Sequence, residues 1–200
     1  MTTTARIIAT TQPVVDDIPN AEALIAYCAR ASNPDNQHNH ETGAGLLRFC
    51  IRNCHWSVFQ MSNAVLEITG PRDITRQFLR HESCEREARR QDDKNRQASH
   101  DDMSPADVAA SAKGKARVLS VVKHEYAAAL ARGEAKETAR VVLPEGLTMS
   151  RLYANGTLRS WLHFIDVRKG GGTQHEHVEL AEACRAALAP HFALMFQATE

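Results

Sequence analysis

Apolar side chains recur every three to four positions over much of the chain, which is the spacing of helices buried along one face. This spacing predicts helices over 21–31, 43–53, 105–132, 134–142, 158–167 and 174–189, with a further helix opened by Pro71. Two segments are instead typical of strands: the pair Ile7 and Ile8, and the apolar, β-branched run 58–69 that precedes Gly70-Pro71. The balance predicts an α+β fold.

Residues that start and stop helices support several of these boundaries. Ser104 precedes Pro105, the arrangement of an N-cap followed by a proline in the first turn, and Gly133 follows the Ala-rich helix as a stop. Between 82 and 102 apolar side chains almost vanish. That stretch is typical of a solvated helix end and loop.

Composition indicates one domain of ordinary size, over residues 1–200. The 200 residues are 43% apolar and 24% charged, as in globular proteins. Basic and acidic residues both number 24, so no overall field attracts the chain to nucleic acid or to a membrane surface. No apolar run approaches the roughly 20 residues that cross a bilayer. We therefore expect neither a nucleic-acid partner nor a membrane.

Cysteine usage and the missing motifs narrow the classes of function further. The five cysteines form no disulfide framework and the first residues lack a secretory pattern, so we expect reduced thiols and a cytoplasmic location. Cys50, Cys54 and His55 do not have a zinc or haem spacing, and no metal site is predicted. The chain also lacks a dinucleotide-binding glycine fingerprint, a P-loop and a Gly-x-Ser-x-Gly nucleophile motif.

Two predicted helices each place cationic and imidazole side chains on one face. Gln77 lies three residues before Arg80 and four before His81, and Arg159 lies four residues before His163. Such a face can donate hydrogen bonds to phosphate oxygens or to a heteroaromatic ring. A solvated helix flank would show the same spacing, so the pattern alone leaves both interpretations open.

Four segments, in order and spacing, resemble the flavin-dependent thymidylate synthases, the ThyX-like family. They are Cys28-Ala-Arg-Ala-Ser32, His55-Trp-Ser-Val-Phe59, Gln77-Phe-Leu-Arg80-His81, and a C-terminal set of Ala139-Arg140-Val-Val-Leu-Pro144, Leu158-Arg159-Ser-Trp-Leu-His163-Phe164, Arg168 and Gln174. The resemblance implies a small antiparallel sheet flanked by helices. It also implies a homotetramer whose active sites are shared between subunits.

The resemblance implies a reaction and its co-substrates as well. Enzymes of this family methylate a uracil nucleotide at C5, converting dUMP to dTMP, with methylenetetrahydrofolate as the carbon donor. FAD reduced by NADPH supplies the hydride. Arginine and histidine donors around the flavin and the pyrimidine would stabilise the negative charge that develops on their ring atoms. No cysteine nucleophile is required.

Residue roles follow from the same resemblance, position by position. The residues that match flavin-binding positions are Ser32, Ser57, Arg80, His81, Arg159, His163 and Arg168. Those that match nucleotide-binding positions are Gln77, Asp92, Lys94, Arg96 and Arg140. His55 matches a histidine on the folate and nicotinamide side, and His55 and Arg140 are the two residues predicted to act in catalysis.

One loop departs from the family pattern. Glu82 replaces the third arginine of the Arg-His-Arg motif, Lys94 replaces a serine and Gln97 replaces a tyrosine, and the alignment requires about four inserted residues. Because this loop holds the nucleotide in the family, the departures leave two alternatives open. One is an enzyme of this type that methylates UMP, as in nucleoside-antibiotic pathways, or hydroxymethylates a pyrimidine nucleotide. The other is a non-catalytic nucleotide-binding descendant.

Overall fold

Helices make up most of the computed structural model, which describes residues 3–80, 90–91, 99–100, 103–169 and 173–196. The helices are α1 (Ala21–Ala29), α2 (Gly43–Arg52), α3 (Arg72–Arg80), α4 (Pro105–Ala131), α5 (Lys136–Ala139), α6 (Leu158–Lys169), α7 (His175–Leu188) and α8 (Ala193–Phe196). The strands are β1 (Thr4–Thr10), β2 (Asn63–Pro71), β3 (Arg90–Gln91), β4 (Ser99–His100) and β5 (Met149–Thr157). The predicted α+β class is confirmed.

The main sheet has three antiparallel strands in the order β1-β2-β5. Thr11, which follows β1, donates its backbone N–H to the carbonyl of Asn63 at the start of β2, 3.0 Å away. Leu158, which follows β5, donates to the carbonyl of Ser62, 2.9 Å away. The ends of β1 and β5 therefore both lie beside the start of β2, as antiparallel pairing requires. A second sheet pairs β3 with β4, with Arg90 opposite His100.

The described residues fall into two compact units. One comprises Thr4–Ile68, Leu152–Gly170 and Glu179–Glu200, and in it α1 contacts α2, α2 contacts α8, and the 3-10 segment Trp56–Met61 contacts α1 and α6. Its largest fully buried side chains include Ile25, Leu47, Phe59, Leu66, Leu158 and Phe192. The apolar stripes of these helices thus supply a shared core.

The other unit comprises Met1–Thr3, Thr69–Arg151 and Gly171–Val178. Its longest element, α4, begins as the sequence predicts: the Ser104 hydroxyl accepts the Asp107 N–H at 3.1 Å. Gly133, two residues beyond the end of α4, has a φ of +85°, in the left-handed region that glycine adopts without a steric penalty. Among the described helices, none is long and apolar enough to cross a membrane.

The predicted elements were wrong or incomplete in several places. The predicted strand 58–69 begins as the 3-10 segment Trp56–Met61, and β2 then runs through the Gly70-Pro71 pair that was expected to stop it. The predicted helix 134–142 is helical only over α5 before a 3-10 turn at Arg140–Val142. Strands β3, β4 and β5 and helix α8 were not predicted, and β3 and β4 lie in the stretch 82–102 that was expected to be a helix end and loop. β5 contains Ser150, Asn155 and Gly156, which are poor strand formers, so its pairing with β2 and not its local sequence makes it a strand.

Candidate functional site

One face of α6 and the 3-10 segment 56–61 enclose a cleft of about 530 Å³, here called the α6 cleft. Arg159, His163 and Asp166 stand at intervals of four and three residues, so all three lie on the same helix face. The residues that line the cleft are Trp56, Gln60, Arg159, Ser160, Leu162, His163 and Asp166. The sequence therefore predicted two of its polar residues correctly as neighbours, Arg159 and His163.

The buried face of α6, opposite the cleft, fixes the orientation of the face that lines the cleft. Leu158, Trp161 and Phe164 are buried, and the Trp161 indole Nε1 donates a hydrogen bond to the Ala64 carbonyl at 3.0 Å. A Cβ built on Gly156 would lie 3.2 Å from that indole nitrogen, so strand and ring approach closely. Burial of this apolar face fixes the rotation of α6 and leaves its polar face outward.

The charged groups of the α6 cleft make no ion pair with one another. Within the described ranges, the side chains of Arg159, His163 and Asp166 have no hydrogen-bond or salt-bridge partner. An unpaired guanidinium, an imidazole and a carboxylate beside an indole ring can bind a flat heterocycle that carries both hydrogen-bond acceptors and donors. Arg168, near the end of α6, is half-buried, and burial lowers the pKa of its guanidinium.

Three further predicted residues lie in the same unit. Ser57 is exposed in the 3-10 segment, and His55 is exposed just before it with its ring edge against Phe49, 5.7 Å between centroids. Ser32 is exposed in a turn after α1.

A buried arginine closes the loop that follows Ser32. The Arg30 guanidinium, 7% exposed, donates to the Asn39 carbonyl and to the Thr42 hydroxyl, the latter at 2.7 Å. These bonds tie the two ends of residues 30–42 together. The Ser32 hydroxyl is thus presented on a loop whose base is fixed.

The second cleft, of about 600 Å³, lies in the other unit and contains three arginines; we call it the α3 cleft. It is lined by Arg72, Arg76, Glu137, Arg140, Val141, Leu143, Glu145 and Ser150. Glu145 pairs with two of these arginines, Arg72 and Arg76 of α3: its Oε1 lies 2.6 Å from Arg76 Nη1, and its Oε2 lies 3.9 Å from Arg72 Nη1. Arg140 forms no ion pair with any described residue. It is therefore the cation of this cleft that is available to a ligand.

The 144–148 turn is itself fastened to the start of α3. Arg72 donates its backbone N–H to the Thr148 carbonyl at 2.8 Å, and the Thr148 hydroxyl donates to the Pro144 carbonyl at 2.6 Å. These bonds hold Glu145 where it meets the two arginines. Gln77, on the same helix, is buried and donates from Nε2 to Gln174 Oε1 at 3.1 Å.

Several predicted residues fall outside what the structure describes. Arg80 is the last residue of α3, and its side chain is not described. His81, Asp92, Lys94 and Arg96 lie outside the described residues altogether, so their roles stay predictions.

Other cleft residues were missed by the sequence analysis. Arg72 and Arg76 precede Arg80 by eight and four residues, a spacing that repeats every helical turn and was visible in the sequence. Asp166 continues the spacing of Arg159 and His163 in the same way. Trp56 and Gln60 had no such signal, because only the packing of the 3-10 segment against α6 brings them to the cleft.

The described cysteines are free thiols. Burial raises the pKa of Cys28 and Cys50, and raises that of Cys184 to about 12. These three thiols stay protonated at neutral pH, a state unsuited to nucleophilic attack.

Together, the fold and the clefts define an α+β protein with two arginine-bearing clefts. The model of the thymidylate synthase complementing protein family matches residues 13–192. A flavin-dependent thymidylate synthase of Synechocystis is 42% identical, and the alignment covers 98% of each chain. A probable flavin-dependent thymidylate synthase of Paramecium bursaria Chlorella virus 1 is 41% identical over 198 residues, covering 90% of this chain and 91% of the viral one.

Solved structures give the same fold. The crystal structure of a UMP/dUMP methylase from Streptomyces cacaoi bound with 5-Br UMP superimposes with a TM-score of 0.77 at 23% identity, covering 98% of this chain and 92% of that chain. The chain belongs to the thymidylate synthase complementing protein family and is an enzyme of the flavin-dependent thymidylate synthase type.

Proposed function

We propose that the chain methylates a uracil nucleotide at C5, converting dUMP to dTMP, with methylenetetrahydrofolate as carbon donor and NADPH as reductant of bound FAD. The observation that carries the proposal is the 42% identity, over 98% of the chain, with a Synechocystis enzyme named for this activity. The two clefts support the proposal, because each contains an arginine without an ion-pair partner among the described residues.

The α6 cleft suits the ring system of a flavin. Its volume of about 530 Å³ falls in the range of small-molecule sites, and its lining combines an indole face with guanidinium and imidazole groups. Arg159 and His163 would hold the flavin, with Ser32, Ser57 and Arg168 also on its side. When bound and reduced, FAD supplies the hydride.

The protein's own groups would act by binding and by electrostatics. Arg159 donates hydrogen bonds to acceptor atoms of the ring, and its fixed charge stabilises negative charge that develops there. The indole of Trp56 offers an apolar face that keeps water from one side of the ligand. Arg168 does not line the cleft, and we assign it to the flavin side on the residue pattern alone.

The α3 cleft would bind the nucleotide. Arg140 has five N–H donors and no ion-pair partner among the described residues, so it can grip a phosphate at two points. Glu145 holds the Arg72 and Arg76 side chains beside it. We assign Gln77, Arg80, His81, Asp92, Lys94 and Arg96 to the nucleotide and flavin on the residue pattern alone. His55 is assigned to the folate and nicotinamide side on the same basis.

We further propose that the chain acts as one domain within a cytoplasmic homotetramer with shared sites. The family match that runs from residue 13 to 192 supports a single functional domain. Exposed apolar side chains at Val118 and Val121 of α4, and at Val141, support burial of these surfaces against other subunits. Free thiols at Cys28, Cys50, Cys54 and Cys184 support a reducing compartment.

Flavin content and product mass test the proposal. The purified protein is expected to bind FAD and, with dUMP, methylenetetrahydrofolate and NADPH, to yield a product 14 Da heavier than dUMP, one methylene unit. UMP run in parallel reports whether the ribonucleotide is also methylated. Protein that neither binds FAD nor forms any methylated nucleotide would overturn the proposal.

A further inference from the structure

The α6 cleft holds opposite charges that do not pair with each other. Arg159 and Asp166 stand seven residues apart on one helix face, which separates their backbones by about 10 Å along the axis. Neither side chain has a partner within the described residues. The cleft is therefore polar along its length, with a cation at one end and a carboxylate at the other.

This polarity restricts the ligand. A guanidinium only donates hydrogen bonds and an ionised carboxylate only accepts them. The Arg159 end therefore suits a ligand edge with acceptor oxygens or nitrogens, and the Asp166 end suits an edge with N–H donors. The side walls, Trp56 and Leu162, favour a flat apolar ring between the two ends.

We propose that Asp166 recognises the N–H edge of the heterocycle bound in the α6 cleft by accepting hydrogen bonds from it. The inference rests on the proposed function, which brings two rings with such an edge. The pterin of the folate carries a ring N–H beside an exocyclic amine, two parallel donors that match the two carboxylate oxygens. The pyrimidinedione of the flavin carries one ring N–H between two carbonyls. Asp166 is a specificity residue for whichever of these rings occupies its end of the cleft.

The direction in which Kd changes when Asp166 is replaced separates hydrogen bonding from a general effect of its charge. FAD and folate are both anions, so removing the charge of Asp166 would strengthen their binding if the carboxylate acted only through the electric field. Losing an acceptor that is used in the complex weakens binding, because a hydrogen bond to a charged group contributes about 1.5–3 kcal/mol. That loss corresponds to a change in Kd of roughly tenfold to 150-fold.

The test compares Asp166→Ala, which removes both acceptor oxygens, with wild type and with Glu125→Gln, which removes an exposed carboxylate of α4 that has no partner among the described residues. The Kd of FAD is measured by quenching of flavin fluorescence. The Kd values of folate and of 2-desamino-2-methylfolate are measured by calorimetry on FAD-loaded protein. Asp166→Ser serves as a second variant, and the melting temperature of each variant reports whether it folds.

Two results would support the proposal and identify the ring. If the pterin is recognised, Asp166→Ala weakens folate at least tenfold, weakens the desamino analogue less because that analogue keeps only the ring N–H, and leaves FAD within twofold of wild type. If the flavin is recognised, FAD weakens at least tenfold. In both cases Glu125→Gln behaves as wild type.

Folded Asp166 variants that bind all three ligands as wild type does, or more tightly, would overturn the proposal while leaving the proposed function intact. Wild-type protein that binds neither FAD nor folate would overturn the proposed function and this inference with it.

Discussion

Arg140 shows at the scale of one residue how a cation can be reserved for a ligand. The two other arginines of the α3 cleft are engaged by Glu145, whereas Arg140 is exposed and has no ion-pair partner in the described part of the chain. Exposed charges without partners contribute little to stability. A substitution of Arg140 should therefore change nucleotide binding without changing the stability of the fold.

We expect Arg140→Ala to raise the KM for the nucleotide roughly tenfold to 100-fold while changing the free energy of unfolding by less than about 0.5 kcal/mol. Arg140→Lys should recover only part of the loss, because a lysine cannot make two parallel hydrogen bonds to phosphate. Steady-state kinetics and denaturant titration measure the two quantities. Arg117→Ala, on the exposed side of α4, is the control. An unchanged KM in Arg140→Ala would remove Arg140 from the nucleotide site.

The cysteines give a second prediction at this scale. Burial raises the pKa of Cys28, Cys50 and Cys184, whereas Cys54 is exposed. Because the thiolate is the reactive form, a short treatment with a maleimide at pH 7.5 should label Cys54 well before the other three. Mass spectrometry of the digested protein gives the order. Labelling of Cys184 as fast as Cys54 in folded protein would contradict the burial of α7.

At the scale of one element, α4 contains one glycine and is followed by another, and the two have opposite roles. Gly133 follows the helix with a φ of +85°, and Gly114 lies within it. A Cβ at either position would meet no atom within 4 Å, so neither substitution is limited by space. The backbone conformation alone decides the outcome.

Gly133→Ala should destabilise the protein by about 1–2 kcal/mol, because alanine is strained in the left-handed region. Gly114→Ala should stabilise it by up to about 1 kcal/mol, because alanine loses less entropy in a helix. Urea unfolding of both variants against wild type gives the two values. Shifts of the same sign in the two variants would show that α4 does not end where the structure places its end.

Sequence information was strongest for elements whose signals are local. The apolar spacing and the signals at Ser104 and Gly133 predicted α4 nearly to its observed bounds, and α6 was predicted with its polar face correct. β5 was not predicted, because its hydrogen-bonding partner β2 is far away in sequence and three of its residues, Ser150, Asn155 and Gly156, are poor strand formers. The same limit applies to the α6 cleft: Arg159 and His163 share a helix, but the wall formed by Trp56 and Gln60 comes from a distant segment.

At the scale of the whole molecule, the α6 cleft is the proposed binding site of the flavin. Arg159 is the cation of that cleft, and no described residue competes with a ligand for it. The Kd of FAD should therefore depend on Arg159 and not on an equally exposed arginine elsewhere, such as Arg48 on α2.

The most direct test is the Kd of FAD, measured by flavin fluorescence, for wild type, Arg159→Ala and Arg48→Ala. We predict that wild type and Arg48→Ala bind FAD equally well and that Arg159→Ala, with an unchanged melting temperature, binds it at least tenfold more weakly. Equal binding of FAD by all three proteins would contradict the assignment of the α6 cleft to the flavin.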